Sequence, residues 1–405
     1  MAICCRRDFA DGTRLDLDLG VARYPVFIAA QPARLLAGYL NSCMEVPPAA
    51  PGQVVLPAAD DTEGFQAAVA PRVVVICDEH TAELFGVAVE TAFITAGWQV
   101  DALTIPAGEA TKTWEVAGQL LEALAELTAD RNVTVCSLGG GVVSDIAGFI
   151  AACWMRGVDF VQIPTTLLAL VDAAVGGKTA VNLSGGKNLA GAFKQPRAIA
   201  SDVAFLAELP DAEYASGLAE AAKNALLAAG DLLEWTESQA HKLVARDRDA
   251  LHELIVRNLE FKAGVVAADP ADVGARAALN YGHTLGHALE QVAGYGVLSH
   301  GQAVAEGMRF AARLSVQLLG ARADFVRRQD ALLDALGIAR VDAAAYSVAQ
   351  LHDACYADKK ARGGHLHMVL VPTPGDAQLV EVPDAVLYEH LNAWKLNNGH
   401  SGGTA

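Results

Sequence analysis

The chain has 405 residues, enough for two domains and a sizeable buried core. Lys and Arg number 30 against 47 Asp and Glu, a formal charge of −17 with no basic block, which argues against a sequence-independent grip on nucleic-acid phosphates. The 53% apolar fraction is rich in Ala, Val and Leu, and no apolar run reaches the ~20 residues of a membrane span, the longest being stopped by Asp145 and Arg156.

At the start, MAICCRRDFADG lacks the apolar core and cleavage site of a secretory signal, so a cytoplasmic protein is expected. The seven cysteines are scattered without a C-x-x-C pair, which indicates neither a disulfide framework nor a zinc ribbon. Residues 44–61, MEVPPAAPGQVVLPAADD, crowd Pro, Ala and Asp around one short apolar run and read as an extended surface insertion. Three short strand-like runs follow, Val73–Cys77, Val133–Leu138 and Phe160–Ile163, with helical spacing over Thr113–Leu127 between the first two. Alternation of this kind implies a parallel sheet covered by helices. Beyond ELPD at 208–211 the strand-like runs cease, and helical patterns cover 213–229, 231–245, 247–267, 276–293, 301–318 and 322–335. The expected organisation is a Rossmann-like α/β domain over residues 1–207, an α-helical domain over 208–396 and a disordered tail over 397–405.

Chemistry concentrates in a few segments. VTVCSLGGGVVSD (133–145) runs a buried-type strand through Gly139–Gly141 into a helix, which lets backbone N–H groups approach a pyrophosphate, although a glycine turn there is also an ordinary tight connection. PTTLLALVDAAVGGKTAVNLSGGKNLAGAF (164–193) sets Asp172, Lys178, Lys187 and Asn188 among glycine pairs in a stretch apolar enough to be buried. Buried ammonium groups need anions, so a phosphate or carboxylate ligand is expected there. GLAEAAKNALL (217–227) puts Glu220 and Lys223 on one helical face, NYGHTLGHALE (280–290) puts His283 and His287 four apart on another, and His300 follows in SHGQAVAEGM. One carboxylate with two or three imidazoles suits a catalytic Zn2+ that keeps an open position, and by spacing alone both His283 and His287 are ligands. Lys262, Arg276 and the pair Lys359–Lys360 add positive charge and point to a polyanionic small substrate, while DKK at 358–360 taken alone reads as a solvated turn.

These segments resemble the 3-dehydroquinate synthase family of sugar-phosphate cyclases from GEATK (108–112) to DKKARGG (358–364), with GGGVVSDIAGF, MRGVDFVQIPTTLLALVDAAVGGKTAVN, GKNLAGAF, GLAEAAK, NYGHTLGHALE and LSHGQAVAEGM in the family's order. The resemblance implies a lyase of the shikimate pathway, toward chorismate and aromatic amino acids, that binds NAD+ in the first domain and Zn2+ or Co2+ in the second. It makes Glu220, His283 and His300 the metal ligands and turns His287 into a proton-handling neighbour, against the i,i+4 reading. The NAD+ site it implies comprises Glu109, Lys112, Gly140, Gly141, Val142, Val143, Ser144, Asp145, Thr165, Thr166, Lys178 and Lys187, with Phe205, Leu206, Ala207 and Glu208 beside it. Around the substrate it sets Asp172, Lys178, Lys187, Asn188, Lys223, Lys262, Arg276, Asn280 and Lys359 or Lys360, with Arg156 reaching the phosphate from the other subunit of a homodimer. The implied reaction turns 3-deoxy-D-arabino-heptulosonate 7-phosphate into 3-dehydroquinate and phosphate by oxidation, β-elimination, reduction and intramolecular aldol closure.

The sequence departs from that pattern at Ser144, where glycine is usual and a serine either narrows the pyrophosphate loop or caps the helix, and at Asn224, where a ring or β-branched side chain is common. Sister cyclases acting on sedoheptulose 7-phosphate or glucose 6-phosphate, and metal-dependent polyol dehydrogenases, are the competing readings. Lys262 and Arg276 favour a carboxylate-bearing substrate over the first, and Lys178, Lys187 and Lys223 have no use in the second. A non-catalytic NAD+-binding descendant is disfavoured because Glu220, His283 and His300 are all present. Five cations gathered in the motif segments of an acidic chain predict a locally positive cleft between the domains.

Overall fold

The computed structural model describes residues 4–44, 70–272, 274–294, 296–357, 361–362 and 365–398. The expected insertion beyond Met44, the pair Lys359–Lys360 and the tail from residue 399 lie outside these residues.

Strands β1 (Cys4–Phe9), β2 (Gly12–Asp18) and β3 (Arg23–Ala29) form an antiparallel ribbon, followed by helix α1 (Pro32–Met44). Next come β4 (Arg72–Asp78), a short α2 (Glu79–Thr81) that continues through a wide turn into α3 (Val87–Thr95), β5 (Gln99–Ile105) and α4 (Trp114–Glu126). The series continues with β6 (Thr134–Gly139), α5 (Gly141–Cys153), β7 (Asp159–Pro164), the hairpin β8 (Lys178–Leu183) and β9 (Gly186–Phe193), and β10 (Ala198–Ser201). Eight strands make one sheet in the order β1-β2-β3-β10-β7-β6-β4-β5, parallel from β3 to β5.

The β-branched runs explain why this sheet is covered on both faces. Along β4, Val73, Val75 and Cys77 join Leu36, Leu40 and Phe93 on one face, while Val74 and Ile76 join Leu120, Leu124, Ile146 and Ile150 on the other. Successive side chains point oppositely, so a strand without polar interruptions must be buried twice.

The second half is helical as expected, with α6 (Asp211–Ala228), α7 (Gly230–Val244), α8 (Arg248–Ala268), α9 (His283–Ala293), α10 (His300–Leu319), α11 (Ala323–Ala335), α12 (Val348–Ala357) and α13 (Asp384–Asn398). It also carries a small antiparallel sheet, β11 (Ala361–Arg362), β12 (His365–Leu370) and β13 (Gln378–Glu381), which the helical reading omits. The single helix expected over 276–293 is two elements, because a 3-10 turn over Ala275–Asn280 ends before Gly282, which sits in the left-handed region at φ +80°. A Cβ at Gly282 would lie 2.6 Å from the Val304 carbonyl oxygen, so α10 can pass close by only because the side chain is missing. One apolar cluster runs through Leu15, Leu17, Val26 and Ile28 of the ribbon and on into Leu218, Leu254, Leu285 and Leu314 of the helices. The two halves thus share a continuous core.

Candidate active site

Three helices deliver three donors to one point. Glu220 lies on α6, and His283 and His300 are the first residues of α9 and α10. One donor atom from each residue lies within 4.8 Å of the others. The approach depends on missing side chains: a Cβ at Gly301 would come 2.2 Å from the Ser216 Cα of α6, and one at Gly307 would come 1.8 Å from the Gly282 carbonyl oxygen. The Ser299 side chain caps α10, accepting from the Gln302 N–H at 3.3 Å, and thereby fixes where His300 emerges.

Glu220 is 1% exposed, and neither of its sealed carboxylate oxygens accepts a well-formed hydrogen bond. Oε2 is in ionic contact with the Lys223 ammonium, and Oε1 faces Nε2 of His283 at 3.7 Å and of His300 at 3.6 Å. Nδ1 of His283 is 3.1 Å from the Tyr281 carbonyl, which can only accept, so in the neutral ring the proton sits on Nδ1 and the Nε2 lone pair points inward. Nδ1 of His300 lies 3.5 Å from Glu290 in the same sense. A buried carboxylate whose Oε1 faces two inward-turned imidazoles, with Lys223 on its other oxygen, suits a borderline cation such as Zn2+ or Co2+. Burial works to raise the Glu220 carboxyl, yet the Lys223 ammonium and His300 hold it at about 2. Burial likewise opposes charge on His300, but Glu220 and Glu290 push it up to about 10.

The i,i+4 pair is corrected here. His287 packs 5.4 Å from His283 and 6.4 Å from His300, ring to ring, but stands outside the set of converging donors. Its place on the helix is one turn too far along, because the ion point is set by the N-terminus of α9 and not by its side.

Behind the donors, charges alternate. Lys223 touches Glu220, and Lys262 is 2.7 Å from Asp172 Oδ1 and donates to the Asp172 carbonyl. Burial pushes the Lys262 ammonium down, whereas Glu220 and Asp172 overcome burial to push Lys223 up. Of the hairpin cations, Lys178 contacts Asp272, and Lys187 is 3.3 Å from Glu290. The expectation that the lysines of 164–193 are buried is therefore corrected, since the Lys178 side chain is 51% exposed and that of Lys187 25%. Among the described residues the buried lysines are Lys223 and Lys262 on the helices and Lys112 before α4. Of the five cations expected to make the cleft positive, Lys178, Lys187, Lys223 and Lys262 each face a carboxylate, Asp272, Glu290, Glu220 or Asp172. Arg276 is 3% exposed and donates to the Gly176 carbonyl at 3.3 Å, and a Cβ on Gly176 would lie 2.2 Å from its guanidinium. Asn280 is half-buried beside it, donating to Ala277.

The glycine turn connects β6 to α5. Gly140 is the N-cap of α5 with no capping side chain, and a Cβ there would meet Thr166 at 2.8 Å. Uncapped N–H groups at a helix start suit an anion such as a pyrophosphate. Ser144 resolves the departure noted above in neither expected way, since its hydroxyl donates back to the Gly141 carbonyl at 3.0 Å. Val143 turns its side chain into the core with Val142 packed against it, leaving only their backbones to a ligand. Lys112 is buried and reaches Asp145 and, at 2.6 Å, Asn188 Oδ1. Burial raises the Asp145 carboxyl against the pull of Lys112. Thr165 is buried next to the turn, Thr166 Oγ1 accepts from the Ala169 N–H, and Glu109 is half-buried. In the 3-10 turn Val203–Ala207, Phe205 stacks on Phe85, Leu206 is buried, and Ala207 and Glu208 are exposed. Asn224 is fully buried and donates to Val171 O and Asn258 Oδ1, so it ties α6 to α8. Arg156 is exposed, in a left-handed turn after α5. Sequence reasoning missed Glu290, which links Lys187 to His300 and whose carboxyl, against its burial, is held at about 2 by His300 and Lys187. Its position one turn beyond His287 was the available signal.

A mostly parallel sheet covered on both faces is thus joined to a helical domain that brings Glu220, from within α6, together with His283 and His300 at the starts of α9 and α10. The solved structure of 2-deoxy-scyllo-inosose synthase complexed with carbaglucose-6-phosphate, NAD+ and Co2+ is 26% identical, covering 80% of this chain and 91% of that one with a TM-score of 0.74. The 2-epi-5-epi-valiolone synthase from Streptomyces hygroscopicus subsp. jinggangensis 5008, with NAD+ and Zn2+ bound, is 23% identical over 85% of this chain and 99% of that one, with a TM-score of 0.75. A probable glycerol dehydrogenase from Sinorhizobium meliloti 1021 shares the fold at 16% identity, 91% and 95% coverage and a TM-score of 0.57. The family models for the 3-dehydroquinate synthase N-terminal and C-terminal domains match residues 102–216 and 217–361. The chain belongs to the 3-dehydroquinate synthase family. Among the described residues, no helix is long and apolar enough to cross a membrane.

Proposed function

We propose that the protein is a 3-dehydroquinate synthase, converting 3-deoxy-D-arabino-heptulosonate 7-phosphate to 3-dehydroquinate and phosphate with NAD+ and a divalent cation held by Glu220, His283 and His300. The observation that carries this reading is Arg276, a buried guanidinium for which Gly176 makes room and which, with Lys262 nearby, suits a substrate carboxylate. When bound, NAD+ accepts a hydride from a ring carbinol and returns it later, while the cation polarises oxygens on the sugar. This chain's residues do the rest. The turn at Gly140 and Gly141, with Lys112 and Asp145, holds the nucleotide, and Lys178, Lys187 and Asn188 on the hairpin hold the sugar phosphate. The ammonium groups of Lys223 and Lys262 are fixed by Glu220 and Asp172, so they meet developing negative charge without reorganising. His287 handles protons beside the ligands. The overall change is redox-neutral, because the electrons taken up in the first step are returned in the third.

We further place the protein in the cytoplasm as a homodimer, with exposed Arg156 serving the partner's site. A second reading is a sister cyclase, favoured by the 26% identity to 2-deoxy-scyllo-inosose synthase. Incubation of the Zn2+- or Co2+-loaded protein with NAD+ and each sugar phosphate separates them: one phosphate released per heptulosonate phosphate consumed, with no net NADH, is expected. Release only from glucose 6-phosphate or sedoheptulose 7-phosphate would select the second reading, and accumulating NADH would point to a dehydrogenase. Arg276→Lys is expected to raise KM for the heptulosonate phosphate about 10-fold or more, because an ammonium loses the two-pronged carboxylate contact. An unchanged KM would remove Arg276 from carboxylate recognition.

A further inference from the structure

Several side chains join the hairpin β8–β9 to the segment before α4, Lys112 on Asn188 Oδ1 among them, and one of these, Asn182, has no part in the steps above. In the hairpin ladder Val181 pairs with Ala190 and Leu183 with Gly186, so the register shift sets Asn182 of β8 opposite Lys187, Asn188 and Leu189 of β9, the strand that carries the extra residues. A bulge of this kind re-aims a side chain. Asn182 bridges instead to Thr113, its own N–H donating to the Lys112 carbonyl at 2.8 Å. Its side chain uses both ends of the amide: Nδ2 donates to Glu109 Oε1 at 2.8 Å, and Oδ1 accepts from the Asn188 N–H at 2.9 Å. Asn188 is held there in the left-handed region at φ +55°. Its neighbour Lys187 lies 4.0 Å from Glu109 and 3.3 Å from Glu290, and Glu290 in turn lies 3.5 Å from His300.

We infer that Asn182 is a positioning residue that couples the nucleotide segment, Glu109 and Lys112, to the substrate-facing hairpin residues Lys187 and Asn188. The inference rests on the proposed NAD+ and sugar-phosphate reading. A side-chain amide donates to a carboxylate through one atom and accepts from a backbone N–H through another, which the isosteric aspartate cannot do. Ordering Glu109 and Lys112 around a nucleotide therefore orders Asn188, and the sugar phosphate does the converse. Reciprocity of this kind is required wherever two sites share one structural link. The strands on either side of the bulge retain their own ladder, so loss of the side chain leaves the hairpin paired.

The test measures NAD+ binding by calorimetry to metal-loaded wild type, N182A, N182D, E109A and the E109A/N182A double variant, alongside kcat and KM for the sugar phosphate. N182A is expected to weaken NAD+ binding and to raise KM about 10-fold each, the factor for one hydrogen bond to a charged group, with kcat and melting temperature changed little. N182D keeps the acceptor for Asn188 but faces Glu109 with a like charge, so it should weaken NAD+ at least as much while raising KM less. The double variant should bind NAD+ no more weakly than the poorer single one, because both changes break the same link. Unchanged NAD+ affinity and KM in N182A and N182D, or losses that multiply in the double variant, would overturn the inference and leave the functional reading standing. Absence of NAD+ binding by the wild type would overturn both.

Discussion

Glu220→Gln is expected to lose the bound metal and, with it, activity. An amide oxygen in place of a carboxylate removes the only negative ligand of the set, and the loss should exceed the ~100-fold in affinity that removing an outer partner of a ligand costs. The same change leaves the Lys223 ammonium, 1% exposed, opposite a neutral group. Breaking one side of a buried ion pair costs about 3–5 kcal/mol, so the metal-free variant should also unfold at lower denaturant concentration than metal-free wild type. Elemental analysis after dialysis and a urea titration read the two effects separately. Full metal content would take Glu220 out of the ligand set, and unchanged unfolding would show that Lys223 finds another anion, such as Asp172, whose charge already favours its ammonium form.

Gly301→Ala should damage the same site without touching a ligand. The new methyl would stand 2.2 Å from the Ser216 Cα, and since that atom is backbone of α6 the two helices must separate. Overpacking of this kind costs about 1–3 kcal/mol, and here the displaced residue adjoins His300. Zn2+ affinity and melting temperature should therefore fall together. Gly264→Ala is the matched control, being inside α8 with nothing within 4 Å of its Cβ position, and it should be neutral or stabilising. Equal behaviour of the two variants would show that the α6–α10 approach does not set the ligand spacing.

Much of this arrangement was legible in the sequence, and the failures have physical causes. Val73–Cys77 and Val133–Leu138 lie within strands Arg72–Asp78 and, apart from Val133, Thr134–Gly139, because unbroken β-branched runs suit only a doubly covered sheet. The family motifs point to Glu220, His283 and His300, whose donor atoms do converge, whereas spacing alone points to His283 with His287. Periodicity says which residues share a helix face but not where along the helix a partner crosses, and here the crossing is set by Gly282, Gly301 and Gly307. The same limit hid the break at Gly282, since a left-handed glycine leaves the apolar spacing on either side intact. The lysines of the G-G-K repeats were read as buried because their neighbours are apolar. In the structure those neighbours form a two-stranded hairpin in which burial alternates along β8 and no residue of β9 is fully buried, a difference that composition averages over.

The antiparallel ribbon carries a consequence for synthesis on the ribosome. Its last strand, Arg23–Ala29, is held in the large sheet by Ala198–Ser201, and its apolar side chains pack with helices that follow residue 211. Strands β1–β3 are made before those partners and must wait, paired only with each other, until the partners have been translated. A nascent fragment ending near residue 150 would lack the helices that cover Leu15, Leu17, Val26 and Ile28 and would leave these four side chains to solvent.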